Sequence, residues 1–267
     1  MVPIRIDSAD DPRIAAYRAI RERDLAGRHG SFVAEGKVVL NVLFSSQRFA
    51  AASVLVLENR LPGLEPVLAK APEEMPVYVA DQKVMDAIAG FHIHRGILAI
   101  GRRGPEISVA DLLGSPGEEA VVVVPVGISN HDNIGAIFRN AAAFDADAVL
   151  MDETCCDPLY RKAIRVSVGA ALKVPFARGG SARTLVDQIS AAGFEVLALS
   201  GSGSVDIADI RPGGRKALLL GTEGEGLPPE VLEAARAVRI AMSPAMDSLN
   251  VAAASAIALH RLWRGAQ

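Results

Sequence analysis

The sequence has few cysteines and few aromatic residues. Its two cysteines, Cys155 and Cys156, are adjacent, a spacing that suits neither an ordinary structural disulfide nor a metal-binding knuckle. We therefore expect them to be small residues that are buried or half-buried. Aromatic residues make up 4% of the chain and alanine supplies much of the apolar content, which predicts closely packed helices.

Long apolar runs and metal-ligand spacings are also lacking. No run approaches the roughly 18 residues that a membrane-spanning helix needs, and no basic start followed by an apolar core marks a secretion signal. The sequence therefore predicts a cytoplasmic protein. No carboxylate or cysteine lies at ligand spacing from a histidine, so we predict no metal site. The histidines are His29, His92, His94, His131 and His260.

An overall basic charge is the last missing feature. The formal net charge is −3 and the isoelectric point is about 6.0, so the chain as a whole lacks the positive footprint of many nucleic-acid binders. RNA binding would need a local patch, for which Arg18–Arg28 and His92–Arg103 are the two candidates. For any single residue of either patch, an ordinary solvated surface is the favoured interpretation.

The length and the apolar content predict a folded α/β protein with two domains. The chain has 267 residues, of which 50% are hydrophobic, enough for a sizeable core. Residues 1–104 alternate short strand-like and helix-like runs, which predicts a small α/β domain. Residues 105–119 are rich in proline and glycine and form the predicted linker, and residues 120–267 form the second domain.

The second domain has longer apolar runs, which are typical of a parallel sheet covered by helices on both faces. Six runs predict its strands: "VVVVPVG", "AVLMD", "VPFA", "EVLALS", "ALLLG" and "VRIAM". Four segments predict its helices: Ile134 to Phe144, Ala182 to Ala192, Pro229 to Ala235 and Ser248 to Trp263.

Three polar islands interrupt this apolar domain. In "ISNHDNIGAIFRNAAAF", Asn133 or Asp132 is a candidate helix cap, and Arg139 follows among small residues that give it no obvious ion-pair partner. A structural interpretation, in which Arg139 extends its charged end from a buried helix, is equally compatible with this local pattern.

The second island is the loop after "ALLLG". Its glycines, Gly221, Gly224 and Gly226, surround Glu223, and no Lys or Arg lies between Gly221 and Glu233. A strand, a glycine loop and a helix often bind phosphate, but the acidic loop favours a neutral or cationic ligand, for example a sulfonium. In a purely structural interpretation, without a ligand, the same glycines form an ordinary turn.

The third island is "IAMSPAMDSLNVAAASAIALHRLW", Ile240 to Trp263, which contains the predicted last helix. Ser248 is the predicted N-cap of that helix. Asn250 lies in its predicted first turn and needs a partner, because a buried unpaired amide costs about 1 to 3 kcal/mol.

Together these islands resemble the three motifs of the SpoU-type branch of the SPOUT RNA methyltransferases. The matching patterns are N-x-G-x-x-x-R-x-A from Asn133 to Ala141, L-G-x-E-x-x-G-L from Leu220 to Leu227, and S-L-N-V-A from Ser248 to Ala252. The segment Arg161 to Phe176 also resembles that family. The first domain more faintly resembles an L30-like RNA-binding module, through "FVAEGK" and "HRGILAI". The chain departs from the family pattern at Asp145, where the family more often has glycine.

This resemblance implies a fold, a cofactor and a reaction. The fold would be a parallel sheet with a deep trefoil knot after an L30-like α/β domain. The reaction would transfer a methyl group from S-adenosylmethionine to a ribose 2′-hydroxyl of rRNA or tRNA. The implied catalytic residues are Arg139, Asn133, Glu223, Ser248 and Asn250. The implied cofactor-binding residues are Leu199, Gly201, Gly221, Ile240, Met242 and Leu249. The family also implies a homodimer through the knot domain, with Arg139 near the partner's site.

Two other functions are compatible with parts of the sequence. The chain could be an RNA-binding or ribosome assembly factor with the same fold and little or no activity, although the motif residues that such a protein would lose are present. A Rossmann-type dehydrogenase or methyltransferase would need its glycine motif after the first strand of its unit, whereas this glycine loop lies near the C-terminus.

Overall fold

The computed structural model describes residues 2–18, 30–90, 92–114, 117–263 and 265. The chain divides into two compact units, each built from two segments. Unit 1 comprises Met1–Pro105 and Asp157–Lys173, and unit 2 comprises Glu106–Cys156 and Val174–Gln267. The segment 157–173 therefore groups with unit 1, although the sequence analysis placed it in the second domain.

Twelve strands are found in the described residues. In chain order they are β1 (Ile4–Ile6), β2 (Ser31–Glu35), β3 (Phe49–Leu57), β4 (Val77–Ala80), β5 (Ile97–Arg103), β6 (Ala120–Pro125), β7 (Ala148–Met151), β8 (Phe176–Arg178), β9 (Glu195–Leu199), β10 (Val205–Asp206), β11 (Arg215–Leu220) and β12 (Arg236–Arg239).

Nine α-helices lie in the same part of the chain. They are α1 (Lys37–Phe44), α2 (Glu65–Leu68), α3 (Gln82–Ala89), α4 (Val109–Gly114), α5 (His131–Ala143), α6 (Arg161–Val166), α7 (Ala182–Ala191), α8 (Pro229–Glu233) and α9 (Val251–Leu262). In the described ranges, none of these helices is long and apolar enough to cross a membrane.

Unit 1 is built on a five-stranded mixed sheet with the order β1-β4-β3-β5-β2. Strands β1 and β3 run parallel to β4, while β5 is antiparallel to both β3 and β2. Its core contains fully buried Ile14, Tyr17, Leu55 and Leu98. The Tyr17 hydroxyl, 2.7 Å from Ser53 Oγ, has the hydrogen-bond partner that a buried phenol needs.

The segment from Asp11 to Leu25 has the residue spacing of a helix in the sequence, and the structure describes only part of it. The described portion forms a short 3₁₀ helix, Pro12–Tyr17, whose N-cap is Asp11. Residues 19–29 lie outside the described residues. The arginines of the first candidate RNA patch at positions 21, 23 and 28 are therefore outside them too, as is His29.

A buried ion pair joins the two segments of unit 1. Arg161 Nη2 lies 2.8 Å from Glu35 Oε2, and the side chains are only 9% and 7% exposed. Glu35 ends β2 and Arg161 begins α6, which packs against β2. Removing one partner of such a pair leaves a buried charge without compensation, so this contact helps fix the segment 157–173 in unit 1.

Unit 2 is a seven-stranded sheet with the order β10-β12-β9-β11-β6-β7-β8. All of its strand pairs are parallel, as the apolar runs predict. Ala217 and Leu219 pack in one cluster with residues of α4, α7 and α8. Leu218, on the opposite side of β11, is also fully buried, so both faces of the sheet are covered.

The predicted linker contains structured residues. Helix α4 lies inside the predicted 105–119 stretch, and its Val109 and Leu113 are buried in the core of unit 2. The helix ends at Gly114, one of the glycines that suggested a linker, and it is too short to show a clear helical period.

Asp145 is one of two non-glycine residues with positive φ in the described chain, at 52°. Left-handed backbone favours glycine, which accounts for the glycine of the family pattern at this position. Aspartate is among the residues that tolerate this conformation. Here its Oδ2 accepts a hydrogen bond of 3.2 Å from Trp263 Nε1, just after α9.

Candidate functional site

The candidate site lies at the carboxyl ends of three neighbouring strands of unit 2. Strands β12, β9 and β11 are adjacent in the sheet, and the loops that follow them line one cavity of about 630 Å³. Ligands of open parallel sheets bind at this end of the strands. The volume is within the range of small-molecule sites.

All six predicted cofactor-binding residues line this cavity. They are Leu199, Gly201, Gly221, Ile240, Met242 and Leu249. Three predicted catalytic residues, Glu223, Ser248 and Asn250, also line it. Asn133 and Arg139 are not among the lining residues. Sequence reasoning missed Thr222, Asp247 and Ala254, which line it too; their positions beside motif residues were the available signal.

The loop after β11 is a tight backbone turn. Thr222 and Gly226 exchange two backbone hydrogen bonds of 3.1 and 3.2 Å. A Cβ on Gly221 would lie 2.3 Å from the carbonyl carbon of Gly226, closer than real Cβ atoms approach other heavy atoms. Gly224 and Gly226 have φ values of 96° and 75°, which favour glycine. The glycines of this motif are therefore required by the turn itself.

The cavity lining is acidic. Among the described residues that line it are Glu223, Glu225 and Asp247, but no Lys, Arg or His. A polyphosphate would be repelled by these carboxylates and would find no cation to bind. A neutral or positively charged ligand suits this lining better.

The three polar islands meet in a hydrogen-bond network. Asn133 Nδ2 donates to Glu223 Oε1 at 3.0 Å. Asn250 Nδ2 donates to the same oxygen at 2.5 Å and to Asn133 Oδ1 at 3.1 Å. Asn133 is 7% exposed, so the network satisfies its buried amide and fixes the carboxylate of Glu223.

Asn250 is the N-cap of α9, and the predicted cap Ser248 was wrong. The Asn250 Oδ1 atom accepts hydrogen bonds from the backbone N–H groups of Ala252 and Ala253, at 2.9 and 3.4 Å. Ser248 is exposed in the preceding loop. The side-chain oxygen of Asn250 thus caps the helix and its side-chain nitrogen donates to Glu223. These are the hydrogen-bond partners that the sequence left unidentified.

The start of α5 also differs from the prediction. The N-cap is Asn130, whose side chain accepts from the backbone N–H of Asp132, and not Asn133 or Asp132. The helix therefore begins three residues before the predicted Ile134. This earlier start places Asn133 inside the first turn, where its side chain is free to bind Glu223.

Helices α5 and α9 pack together through a second polar contact. Asn140 Nδ2 donates to the backbone oxygen of Ala252 at 2.7 Å and to Ser255 Oγ at 2.8 Å. Asn140 lies seven residues after Asn133, two turns along the same helix face. That spacing could have identified Asn140 from the sequence.

Arg139 lies on a different face of α5. At 100° per residue it is rotated by about 120° from Asn133 around the helix axis. Its side chain is exposed, and within the described ranges it has no hydrogen-bond or ion-pair partner. Within one chain, therefore, the structure does not bring Arg139 into the network of Asn133, Glu223 and Asn250.

The two cysteines are thiols without a disulfide bond and lie outside the cavity. Cys155 is buried and Cys156 is half-buried, as predicted. Burial raises the pKa of the Cys155 thiol above its usual value, and its sulfur contacts the carbonyl oxygen of Pro125 at 3.3 Å. Cys155 is therefore an unreactive core residue at neutral pH. No group of three or more potential metal ligands occurs in the part of the chain that the structure describes.

Comparisons with known proteins identify the family of the chain. Residues 120–260 match the SpoU rRNA Methylase family. An uncharacterized tRNA/rRNA methyltransferase of Mycobacterium bovis is 40% identical over 265 residues, which cover 96% of this chain and 90% of that protein.

Solved structures are similar to nearly the whole chain. An AdoMet-bound rRNA methyltransferase from Sinorhizobium meliloti is 27% identical, with a TM-score of 0.80 over 97% of both chains. A structure described as an RNA 2′-O ribose methyltransferase is 26% identical, with a TM-score of 0.82 over 98% of both chains. The chain belongs to the SpoU rRNA methylase family.

Proposed function

We propose that the protein transfers a methyl group from S-adenosylmethionine to a ribose 2′-hydroxyl of rRNA or tRNA. One observation carries this proposal: three separate segments of unit 2 meet around one cavity, beside the network of Asn133, Glu223 and Asn250. The family and the two structural neighbours named above support the same chemistry.

The cavity residues fit S-adenosylmethionine. Leu199, Ile240 and Leu249 supply apolar surface for an adenosine, and Gly201 and Gly221 let the main chain approach it. The acidic lining does not repel a sulfonium. It also disfavours the dinucleotide of a Rossmann-type dehydrogenase, whose pyrophosphate would lie among carboxylates.

The protein residues position the reacting groups. When bound, the cofactor supplies a methyl group on a positively charged sulfur. Glu223, held by the two asparagines, and Ser248 are placed at the same cavity to orient the ribose. If the hydroxyl is held in line with the bond between the methyl group and the sulfur, the entropic cost of orienting the two reactants is met on binding.

Arg139 is the proposed catalytic cation. Because a guanidinium has a pKa above about 12, it stays protonated and is a poor general base. We assign it to bind an RNA phosphate and to stabilise the negative charge that develops on the 2′-oxygen. A phosphate oxygen or water then accepts the proton.

The proposal includes a homodimer, because Arg139 is separated from the network of its own chain. Apolar side chains that a partner could cover are exposed on the last helix and on the loop before it. Their exposed fractions are 44% for Ile257, 61% for Met246, 37% for Leu249 and 37% for Met242. In such a dimer Arg139 would serve the site of the partner. The trefoil knot and the cytoplasmic location stay predictions.

The central experiment replaces Arg139 by alanine. We expect Arg139→Ala to abolish methyl transfer to total RNA from cells that lack the gene, because the charge at the reacting oxygen is lost. Affinity for S-adenosylmethionine, measured by calorimetry, should stay within twofold of wild type. Arg211→Ala is the matched control, since Arg211 is also an exposed arginine of unit 2.

Two results would contradict the proposal. Full activity of Arg139→Ala would remove the assigned role of this residue. Cofactor binding by the wild-type protein without transfer to any RNA would instead favour the inactive assembly factor. Mapping 2′-O-methylation in RNA from cells with and without the gene distinguishes rRNA from tRNA as the target.

A further inference from the structure

Unit 1 contains a cavity that the proposed methyl transfer does not use. It has a volume of about 540 Å³ and lies at the start of α1. The residues that matter for its chemistry are Lys37, Val38, Arg60, His94, Arg95 and Val168. All of them belong to unit 1.

The cavity is positively charged. Lys37, Arg60 and Arg95 are exposed at its surface. Lys37 Nζ and Arg60 Nη2 donate to backbone carbonyl oxygens, at 2.7 and 3.4 Å, and neither forms an ion pair with a carboxylate of the described residues. Arg95 has no hydrogen-bond or ion-pair partner among the described residues.

The one carboxylate of the lining does not cancel this charge. Glu35 is 6% exposed and is already paired with buried Arg161. The helix that starts here adds to the positive potential, because α1 has no acidic residue in its first turn and its N-cap, Gly36, has no side chain to cap it. The cavity therefore attracts anions.

Apolar side chains are exposed at the same cavity. Val38 is 59% exposed and Val168 is 38% exposed, while Leu64 forms part of the buried floor. Val168 has a φ of 53°, which is a strained conformation for a β-branched residue. Strain of this kind is concentrated at functional sites.

An aromatic ring, that of His94, lies at the rim of the cavity. The His94 ring packs edge-to-face on His92, with 4.8 Å between the ring centroids. His92 is fixed in turn by Asp86, whose Oδ2 lies 2.9 Å from His92 Nδ1. The exposed His94 ring is thus available for stacking against a planar group.

We propose that this cavity binds one unstacked nucleotide of single-stranded RNA. The base would contact Val38, Val168 and the His94 ring, and the flanking phosphates would contact Lys37, Arg60 and Arg95. Proteins read single-stranded RNA by this combination of stacking and backbone contacts. The volume suits a single nucleotide, whereas a protein partner would need a broader surface.

This inference rests on the proposed function, since it takes RNA to be the substrate. It selects the second of the two candidate patches, the one that contains His94 and Arg95. Arg18, the described arginine of the first patch, lies 3.6 Å from Asp10 Oδ1 and also donates to the backbone oxygen of Asp11. Its charge is therefore partly neutralised.

Two kinds of variant of the full-length protein test the phosphate and base contacts separately. The probe is a fluorescein-labelled 12-residue oligouridylate, compared with an RNA duplex of 12 base pairs by anisotropy. Arg60→Glu and Arg95→Glu should each weaken oligouridylate binding at least tenfold. Each should also make the slope of log affinity against log salt shallower by about 0.7. Val38→Trp, which fills the cavity without a charge change, should weaken binding at least fivefold and leave the slope unchanged.

Matched controls lie in the same unit. Lys83→Glu reverses the charge of an exposed lysine outside the cavity, and Val2→Trp enlarges a valine that is 86% exposed. Both should bind the oligonucleotide within twofold of wild type. All variants should bind S-adenosylmethionine as wild type does, which shows that unit 2 is intact.

Three results would overturn the inference. The first is wild-type affinity in the three cavity variants, and the second is equal binding of duplex and single strand by the wild-type protein. The third is displacement of the oligonucleotide by polyglutamate as readily as by unlabelled RNA, because charge alone would then explain binding. The proposed function fails by a different measurement, which is the absence of methyl transfer by the wild-type protein.

Discussion

Gly221 illustrates a single residue whose lack of a side chain shapes the cavity. A Cβ there would lie 2.5 Å from the backbone nitrogen of Leu227, so Gly221→Ala must shift the turn between Thr222 and Gly226. We expect this variant to lose at least tenfold in affinity for S-adenosylmethionine by calorimetry while circular dichroism still shows a folded protein. Gly117→Ala is the control, because a Cβ at Gly117 has open space. Equal affinity in both variants would show that the turn does not form the cofactor site.

Asn250 combines two roles that separate substitutions can distinguish. Asn250→Ala removes the cap of α9 and both hydrogen bonds of its amide nitrogen, so we expect the free energy of unfolding to fall by about 1 to 2 kcal/mol in urea titrations. Ser248→Ala should change it by less than about 0.5 kcal/mol, because Ser248 is exposed and is not the cap. A larger loss from Ser248→Ala than from Asn250→Ala would restore the original prediction of the cap.

At the scale of elements, three neighbouring strands share one ion-pair cluster. Glu195 on β9 lies 2.5 Å from Lys216 Nζ on β11 and 2.8 Å from Arg236 Nη1 on β12. The hydrogen bond from Lys216, and then that from Arg236, hold the pKa of Glu195 below its ordinary value of 4.5. The carboxylate is therefore favoured in the folded state.

This lowered pKa predicts the pH dependence of stability. A depressed folded pKa contributes stability above the unfolded value, near pH 4.5, and that stability is lost as the pH falls through the folded pKa. We expect Glu195→Gln to be less stable than wild type at pH 7. In thermal unfolding at low salt, the gap in unfolding temperature between the two proteins should shrink towards pH 3. Because the pair is partly exposed, added salt should also narrow the gap. A gap that widens in acid would contradict this assignment.

The strands of unit 2 were largely predictable from the sequence, as were the starts of α7 at Ala182 and of α8 at Pro229, whereas the starts of α5 and α9 were not. Strands such as β6 and β11 have near-continuous apolar runs, because both of their faces are buried. The starts of α5 and α9 were misplaced because several residues near each end are good caps. Asn130, Asp132 and Asn133 compete at α5, and only the folded chain shows which one meets the free N–H groups.

The sequence predicted residues of the site but not the hydrogen bonds that connect them. The motif resemblance selected Asn133, Glu223 and Asn250, which the structure brings into one network. The pattern contained no sign that Asn250 would both cap α9 and bind Glu223. Nor could it show that Arg139 points away from the network. That conclusion requires Asn133 and Arg139 to lie on the same helix, and the predicted helix began after Asn133, at Ile134.

At the scale of the whole molecule, the proposed dimer gives the next prediction. Ile257 is 44% exposed on α9, where the proposed dimer would cover it. We expect the wild-type protein to be a dimer at micromolar concentration by light scattering, and Ile257→Asp to be a monomer with reduced methyl transfer. Val2→Asp, at an exposed valine of unit 1, should remain a dimer. A wild-type monomer would remove the dimer from the proposal.

The domain division was the part of the fold that the sequence predicted least well. Residues 157–173 carry no change of composition at either end, so they read as a continuation of the second domain. What assigns them to unit 1 is packing against β2 and the buried pair of Arg161 with Glu35. Contacts between residues 126 positions apart are not visible in local patterns.

The two-segment composition of unit 1 limits how its gene can recombine. The segment Asp157–Lys173 belongs to unit 1 but is encoded within the part of the gene that specifies unit 2. A single crossover near codon 105 would therefore join residues 1–105 of one relative to the segment 157–173 of another, and Glu35 would face a residue from a different lineage at position 161. Transfer of an intact unit 1 between relatives thus requires either a double crossover or correlated substitutions in both segments.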